Sequence, residues 1–176
     1  MSTTPEPAGT LELALAHARR LLAANPKLAI EQAAEILKVV PGQTAALGIL
    51  ADAWRALGDH YTVLGETAAA DAAYARHIQA ATRDPRLLAP AAALTDGRIA
   101  VAERLLREHL KQFPTDVPAI RMLAEVAGRL RRYTDAENLL ARCLELAPGF
   151  TAARQNYALV LHRQNKPAAA LGQREL

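Results

Sequence analysis

The sequence predicts an all-α chain, a solenoid of antiparallel helix pairs, and three observations lead there. Apolar residues make up 51% of the 176 residues and aromatics only 4%, a balance of Ala and Leu that suits close helix packing better than a sheet. Leu11, Leu15, Ala18 and Leu22 open a helical spacing of apolar positions that recurs along the chain. Elements then repeat in phase. Gly97, Arg131 and Asn165 stand 34 residues apart, as do Ala102, Ala136 and Ala170, and so do Pro114 and Pro148. A unit of that length is a helix pair that cannot bury its apolar face alone, so units stack into one continuous array with the core between them.

The elements follow in order. Residues 1–10 hold two prolines and small polar side chains without apolar periodicity, and are expected to form a disordered tail before the array of residues 11–176. The first unit, 11–41, is a helix stopped by Asn25-Pro26 and a second helix from Leu28 to Val40, ended by Pro41-Gly42. In the second unit, 44–84, no strong breaker interrupts Thr44 to Leu64, so an extended first helix is expected, with Gly65-Glu66 as its turn and Gly58-Asp59 as the rival. Its partner helix runs from about Thr67 to Thr82 and ends at Asp84-Pro85. The third unit, 85–114, has a short first helix, Arg86 to Thr95, in which Pro90 needs a first-turn position or a kink, so local irregularity is expected. The fourth unit, 117–148, is regular. The fifth, 151–176, stops after Ala170 without the apolar positions that end the preceding units, which makes the chain in this reading part of a longer protein or leaves an open end for self-association.

The second unit also carries a signature. Trp54, Leu57, Gly58 and Tyr61, followed by Ala70 and Tyr74, reproduce W-x2-L-G-x2-Y…A-x3-F with Tyr for Phe. The chain therefore resembles the tetratricopeptide repeat family, which implies a right-handed superhelix whose first helices line a concave groove. The stretch from Ala136 to Leu171, with Asp71 to Ile78, further resembles the N-terminal repeat region of bacterial proteins that continue into a sulfotransferase domain. That resemblance implies a catalytic domain beyond Leu176 using the sulfate donor PAPS, with this array as its regulatory or acceptor-recognising module.

Several functions are excluded or left without a site. The sequence has no P-loop, dinucleotide fingerprint, nucleophile elbow or zinc-protease motif, so no catalytic residue, cofactor or metal is assigned and the chain is read as non-enzymatic. His77, His109 and Cys143 fall at equivalent positions of three successive second helices, but packed helices lie about 8–10 Å apart and one ion could not span all three, which favours core packing. A lone cysteine excludes an internal disulfide framework. The longest apolar segment, Ala45 to Leu57, is broken by Asp52 and Arg55, so no membrane partner is expected and a cytoplasmic location follows by default. Aromatics sit at apolar repeat positions without interleaving with basic residues, which speaks against nucleic acid; Trp54, Tyr61, Tyr74 and Tyr157 are read as core.

Binding is the chemistry that remains. The formal charge of +3 is uneven: residues through Asp96 carry 8 basic and 10 acidic side chains, the rest 13 and 8. An acidic partner at the C-terminal end or a simply solvated surface accounts for this equally. The resemblance places Arg121, Glu125 and Arg129 on the groove side of the fourth unit and Gln155, Asn156 and Arg163 on that of the fifth. Arg grips a carboxylate with two parallel bonds and Asn pairs with an extended backbone, so the expected partner is a protein or peptide, acidic or C-terminal. A solvated face with i,i+4 pairs such as Arg121–Glu125 is the alternative, and a homodimer through the C-terminal end is a further one.

Overall fold

The computed structural model describes residues 8–166, which form nine α-helices and no strand. Helix α1 (Ala8–Ala24) begins ahead of the Leu11 start expected from periodicity, and α2 (Pro26–Val39) follows after Asn25, whose side chain accepts from Leu28 N at 3.2 Å. Pro26 at the first helical position loses no hydrogen bond, because that N–H has no partner in any helix. Residues 1–7 and the expected second helix of the fifth unit, through Pro167 and Ala170, lie outside the described residues.

Helix α3 (Thr44–Val63) is the extended first helix that the sequence predicts, about 30 Å long at 1.5 Å per residue. Gly58 lies inside it and the turn falls at Gly65, and a Cβ at Gly58 would meet the Tyr74 ring at 3.0 Å. Glycine is needed there to let α4 (Thr67–Ala81) lie close, not to break the helix. Helix α5 (Pro85–Thr95) is short and carries Pro90 in its interior; it is followed by α6 (Ile99–Gln112), α7 (Val117–Arg129), α8 (Tyr133–Leu146) and α9 (Thr151–Arg163). Asp84 and Asp116 cap α5 and α7 by accepting from Arg86 N at 2.9 Å and Ala119 N at 3.0 Å.

Successive helices pack as antiparallel pairs, and first helices touch along the series α1, α3, α5, α7, α9. The departure from a simple stack is at α4, which packs on α7 and α8, past the third pair. Ala70 and Tyr74 of α4 accordingly share one apolar cluster with Ile120, Ala124, Leu140 and Cys143. The other face of α7 belongs to a second cluster with Leu87, Leu94 and Leu106, so α7 is buried from both sides. A third cluster around Leu15, Ala33, Ile36 and Ile49 joins the first pair to α3. Of the aromatics read as core, Tyr74 is fully buried, Tyr61 and Tyr157 are partly buried against the first cluster, and Trp54 is half-buried.

Candidate functional site

Four turns set the register of the first helices. Gly65, Gly97, Arg131 and Asn165 have φ of 74°, 73°, 58° and 61°, and each closes its helix with the same pair of bonds, such as Arg132 N to Ala127 O at 2.8 Å and Arg131 N to Gly128 O at 3.0 Å. Counting back from these turns aligns Arg55, Leu87, Arg121 and Gln155, then Ala56, Leu88, Met122 and Asn156. It likewise aligns Asp59, Ala91, Glu125 and Leu159. These rows run down one side of α3, α5, α7 and α9.

In the C-terminal half that side is open. A cavity of about 440 Å³ is walled by Leu87, Leu88 and Ala91 of α5 and by Pro118, Arg121 and Met122 of α7. Ile78, Ala81 and Thr82, at the end of α4, and Phe150 and Ala152, at the start of α9, complete the lining. Leu88, an exposed large apolar side chain at 56%, stands in this wall. Arg121 is the charged residue of the lining.

Arg121 is also one of the residues that the sequence singles out, and it stands 3.7 Å from Glu125. Glu125 is bonded to Arg129 at 2.6 Å, and Arg129 donates in addition to the Leu94 carbonyl at 2.7 Å. The α7 row is thus a charged ladder whose far end fastens α7 to the end of α5. Gln155 and Asn156 occupy the matching positions of α9, exposed and half-buried respectively, and Arg163 is exposed in the last turn of that helix; none of the three enters the cavity wall.

In the N-terminal half the same side is covered. The corner Phe113–Asp116, between α6 and α7, lies against α3. Thr115 Oγ1 donates to Asp59 at 2.9 Å and accepts from Arg55 at 3.2 Å, while Arg55 also holds Asp59 at 3.0 Å and Tyr74 donates to Asp59 at 2.6 Å. Arg86 spans Asp84 and Asp52, reaching Asp52 with two bonds of 2.9 and 3.0 Å, and its guanidinium lies 4.6 Å from the centre of the Phe113 ring. Burial alone would lower this guanidinium, but the two carboxylates raise it above its ordinary value. Burial, with the bond to Asp59, raises the Tyr74 phenol as well. Arg86 occupies the position that Trp54 and Ile120 hold in their own helices, a charged residue where theirs are apolar.

His77 and Cys143 are buried and His109 is partly so, yet the two histidines converge, which helix spacing alone does not suggest. His109 Nε2 lies 2.8 Å from Asp116 Oδ2 and His77 Nε2 3.4 Å from Asp116 Oδ1, while Cys143 Sγ donates to the Val117 carbonyl at 3.5 Å. Docking of α4 on α7 brings them together. Burial alone would push the Asp116 carboxyl up, but the hydrogen bond from His109, the His77 ring and the Ala119 N–H hold it well below the usual carboxylate range. Burial pushes the Cys143 thiol up to about 12. Asp116 is the residue that sequence reasoning missed; its signal was Asp ahead of Val117-Pro118, an N-cap pattern. Among the described residues no group of three His, Cys, Asp or Glu side chains could hold a metal ion, and no helix is long and apolar enough to cross a membrane.

No protein-family model matches the chain, and no curated protein matches it. Solved structures do. The crystal structure of MamA protein is similar over 96% of this chain and 90% of its own, at 16% identity and a TM-score of 0.49. YrrB, a TPR protein with an unusual peptide-binding site, is similar over 91% of this chain and 80% of its own, at 15% identity and a TM-score of 0.48. MamA 41-end from Desulfovibrio magneticus RS-1 is similar over 93% and 90%, at 14% identity and a TM-score of 0.48. The likeness is one of fold. The narrower resemblance to sulfotransferase-associated repeats gains no support from these comparisons.

Proposed function

We propose that the chain is a non-catalytic interaction scaffold whose partner inserts an apolar side chain between α4 and α7 and sets a carboxylate against Arg121. The observation that carries this reading is the cavity of about 440 Å³, mostly apolar, with Thr82 and the Arg121 guanidinium as its polar groups, beside the aligned rows of the first helices. A cation at the rim of an apolar recess selects for an acidic group beside a large apolar one, since each partner group would otherwise lose water without compensation. Gln155 and Asn156 extend the track along α9, where Asn156 would pair with the backbone of an extended segment. Glu125 and Arg129 orient Arg121 from behind, and Arg163 would meet the far end of the segment.

The test is to pan a random peptide library with free C-termini against the chain and to measure the selected peptides by calorimetry. Met122→Arg should abolish binding, and Arg121→Ala should weaken it about tenfold, equivalent to about 1.4 kcal/mol. Peptides that bind Met122→Arg as tightly as the parent would place the site elsewhere.

A further inference from the structure

We propose that His77 is a proton-operated latch that holds α4 against the start of α7 and so fixes the corner Phe113–Asp116 over α3. The assignment starts from its ring nitrogens. Nδ1 lies 3.0 Å from the Ala51 carbonyl oxygen, which only accepts, so Nδ1 carries a proton. Nε2 has no hydrogen-bond partner of normal geometry and faces Asp116 Oδ1 at 3.4 Å, with both side chains at most 2% exposed. In the neutral ring Nε2 is a lone pair, and it would point at a carboxylate oxygen in a dry site. With a second proton on Nε2 the same contact becomes a charge-assisted attraction. Asp116 is already engaged by the Ala119 N–H on Oδ1 and by His109 Nε2 on Oδ2, so its position is fixed and the sign of the contact is decided at His77.

The neighbouring charged groups are accounted for. On α3, Arg55 and Asp59 are closed by Thr115 and Tyr74; beside α5, Arg86 is closed by Asp84 and Asp52; α7 adds Arg121, which has Glu125 nearby, and α8 adds Arg142, paired with Glu145, and the Cys143 thiol, kept neutral by burial. His109 on α6 is the other imidazole of the cluster, and imidazoles are the side chains that ordinarily change charge near neutrality. His77 adjoins Ile78, and Asp116 precedes Pro118 by two residues, and both Ile78 and Pro118 line the cavity. Loss of the His77 proton therefore loosens α4 from the start of α7 beside the cavity, whether or not a ligand binds there.

Native-state hydrogen exchange on the ligand-free chain tests this, with each rate corrected for the intrinsic pH dependence of exchange. Protection of the Asp116 and Ala119 amides should fall at least tenfold as pH rises from about 5 to about 8, the range in which imidazoles ordinarily change charge, while the Ala29 amide in the first pair holds its value. The response should vanish in His77→Gln and persist in His109→Gln. Persistence in His77→Gln, or protection independent of pH in the parent chain, would overturn the proposal. If His77→Gln does not fold, long-range ¹H–¹⁵N spectra of the parent decide alone. Both ring nitrogens of His77 protonated at the low-pH end supports the latch, and a neutral ring throughout overturns it.

Discussion

Arg55 and Arg121 occupy the same position in their respective helices, yet one is sealed and the other faces a cavity. Around Arg55, Asp59, Thr115 and the Phe113 ring fill the space, the last with its centre 5.4 Å from the guanidinium. Around Arg121 the nearest charge is Glu125 at 3.7 Å, and the remaining wall is Leu87, Met122 and their neighbours. Nothing in the repeat position distinguishes them. The corner of a later unit lands on α3 and no described segment lands on the corresponding face of α7. In a solenoid the same surface row is an internal joint or an external site according to what the chain itself lays over it.

The largest test of that contrast removes the joint's anchor. Asp116→Ala removes the acceptor of His109 and the carboxylate facing His77 and uncaps α7, and should cost about 3–5 kcal/mol in denaturant unfolding. The same carboxyl sets an acid dependence. Its value in the folded chain lies below its value in the unfolded chain, so its contribution is complete above the ordinary carboxylate range, near pH 4, and is lost as pH falls from there. Urea midpoints of the variant should accordingly vary less with pH below about pH 4 than those of the parent.

Next in size is the direct pairwise comparison. Arg55→Ala should cost about 1–3 kcal/mol, because buried partners lose a charged donor, whereas Arg121→Ala should change stability by less than about 0.5 kcal/mol. Equal costs in thermal unfolding would erase the distinction between covered and open faces. Gly58→Ala should cost about 1–2 kcal/mol, since crowding the Tyr74 ring outweighs the gain in helix propensity. The smallest effect has the opposite sign: Arg131→Gly should stabilise by about 0.5–1 kcal/mol, because its φ of 58° is costly for a residue with a Cβ.

Much of this architecture is legible in the sequence. Asn25-Pro26, Pro41-Gly42 and Asp84-Pro85 mark real helix ends, and the matching of Gly97 with Arg131 and Asn165 is confirmed by a shared left-handed turn. Arg121, singled out by its register, lines the cavity. The rest depends on contacts that periodicity does not encode. Ile78 becomes a cavity wall because α4 passes the third pair, and α4 does so where Arg86 replaces the apolar residue that Trp54 and Ile120 supply elsewhere. Asp116 reads in sequence only as a cap. Its two histidines lie 39 and 7 residues before it, distances with no motif attached.

Docking of α4 on α7 and α8 also changes how the molecule should come apart. In an array where each unit meets only its neighbours, unfolding can peel inward from either end, one unit at a time. Here Asp71 on α4 accepts a bond from Gly149 N at 3.0 Å, across 78 residues of chain, and Tyr74 shares a core with Leu140. The second and fourth units cannot open without each other, and the third is enclosed by that clasp. Everything from α3 to α8 should therefore melt as a single cooperative block, leaving α1 and α2 free to fray at a lower free energy.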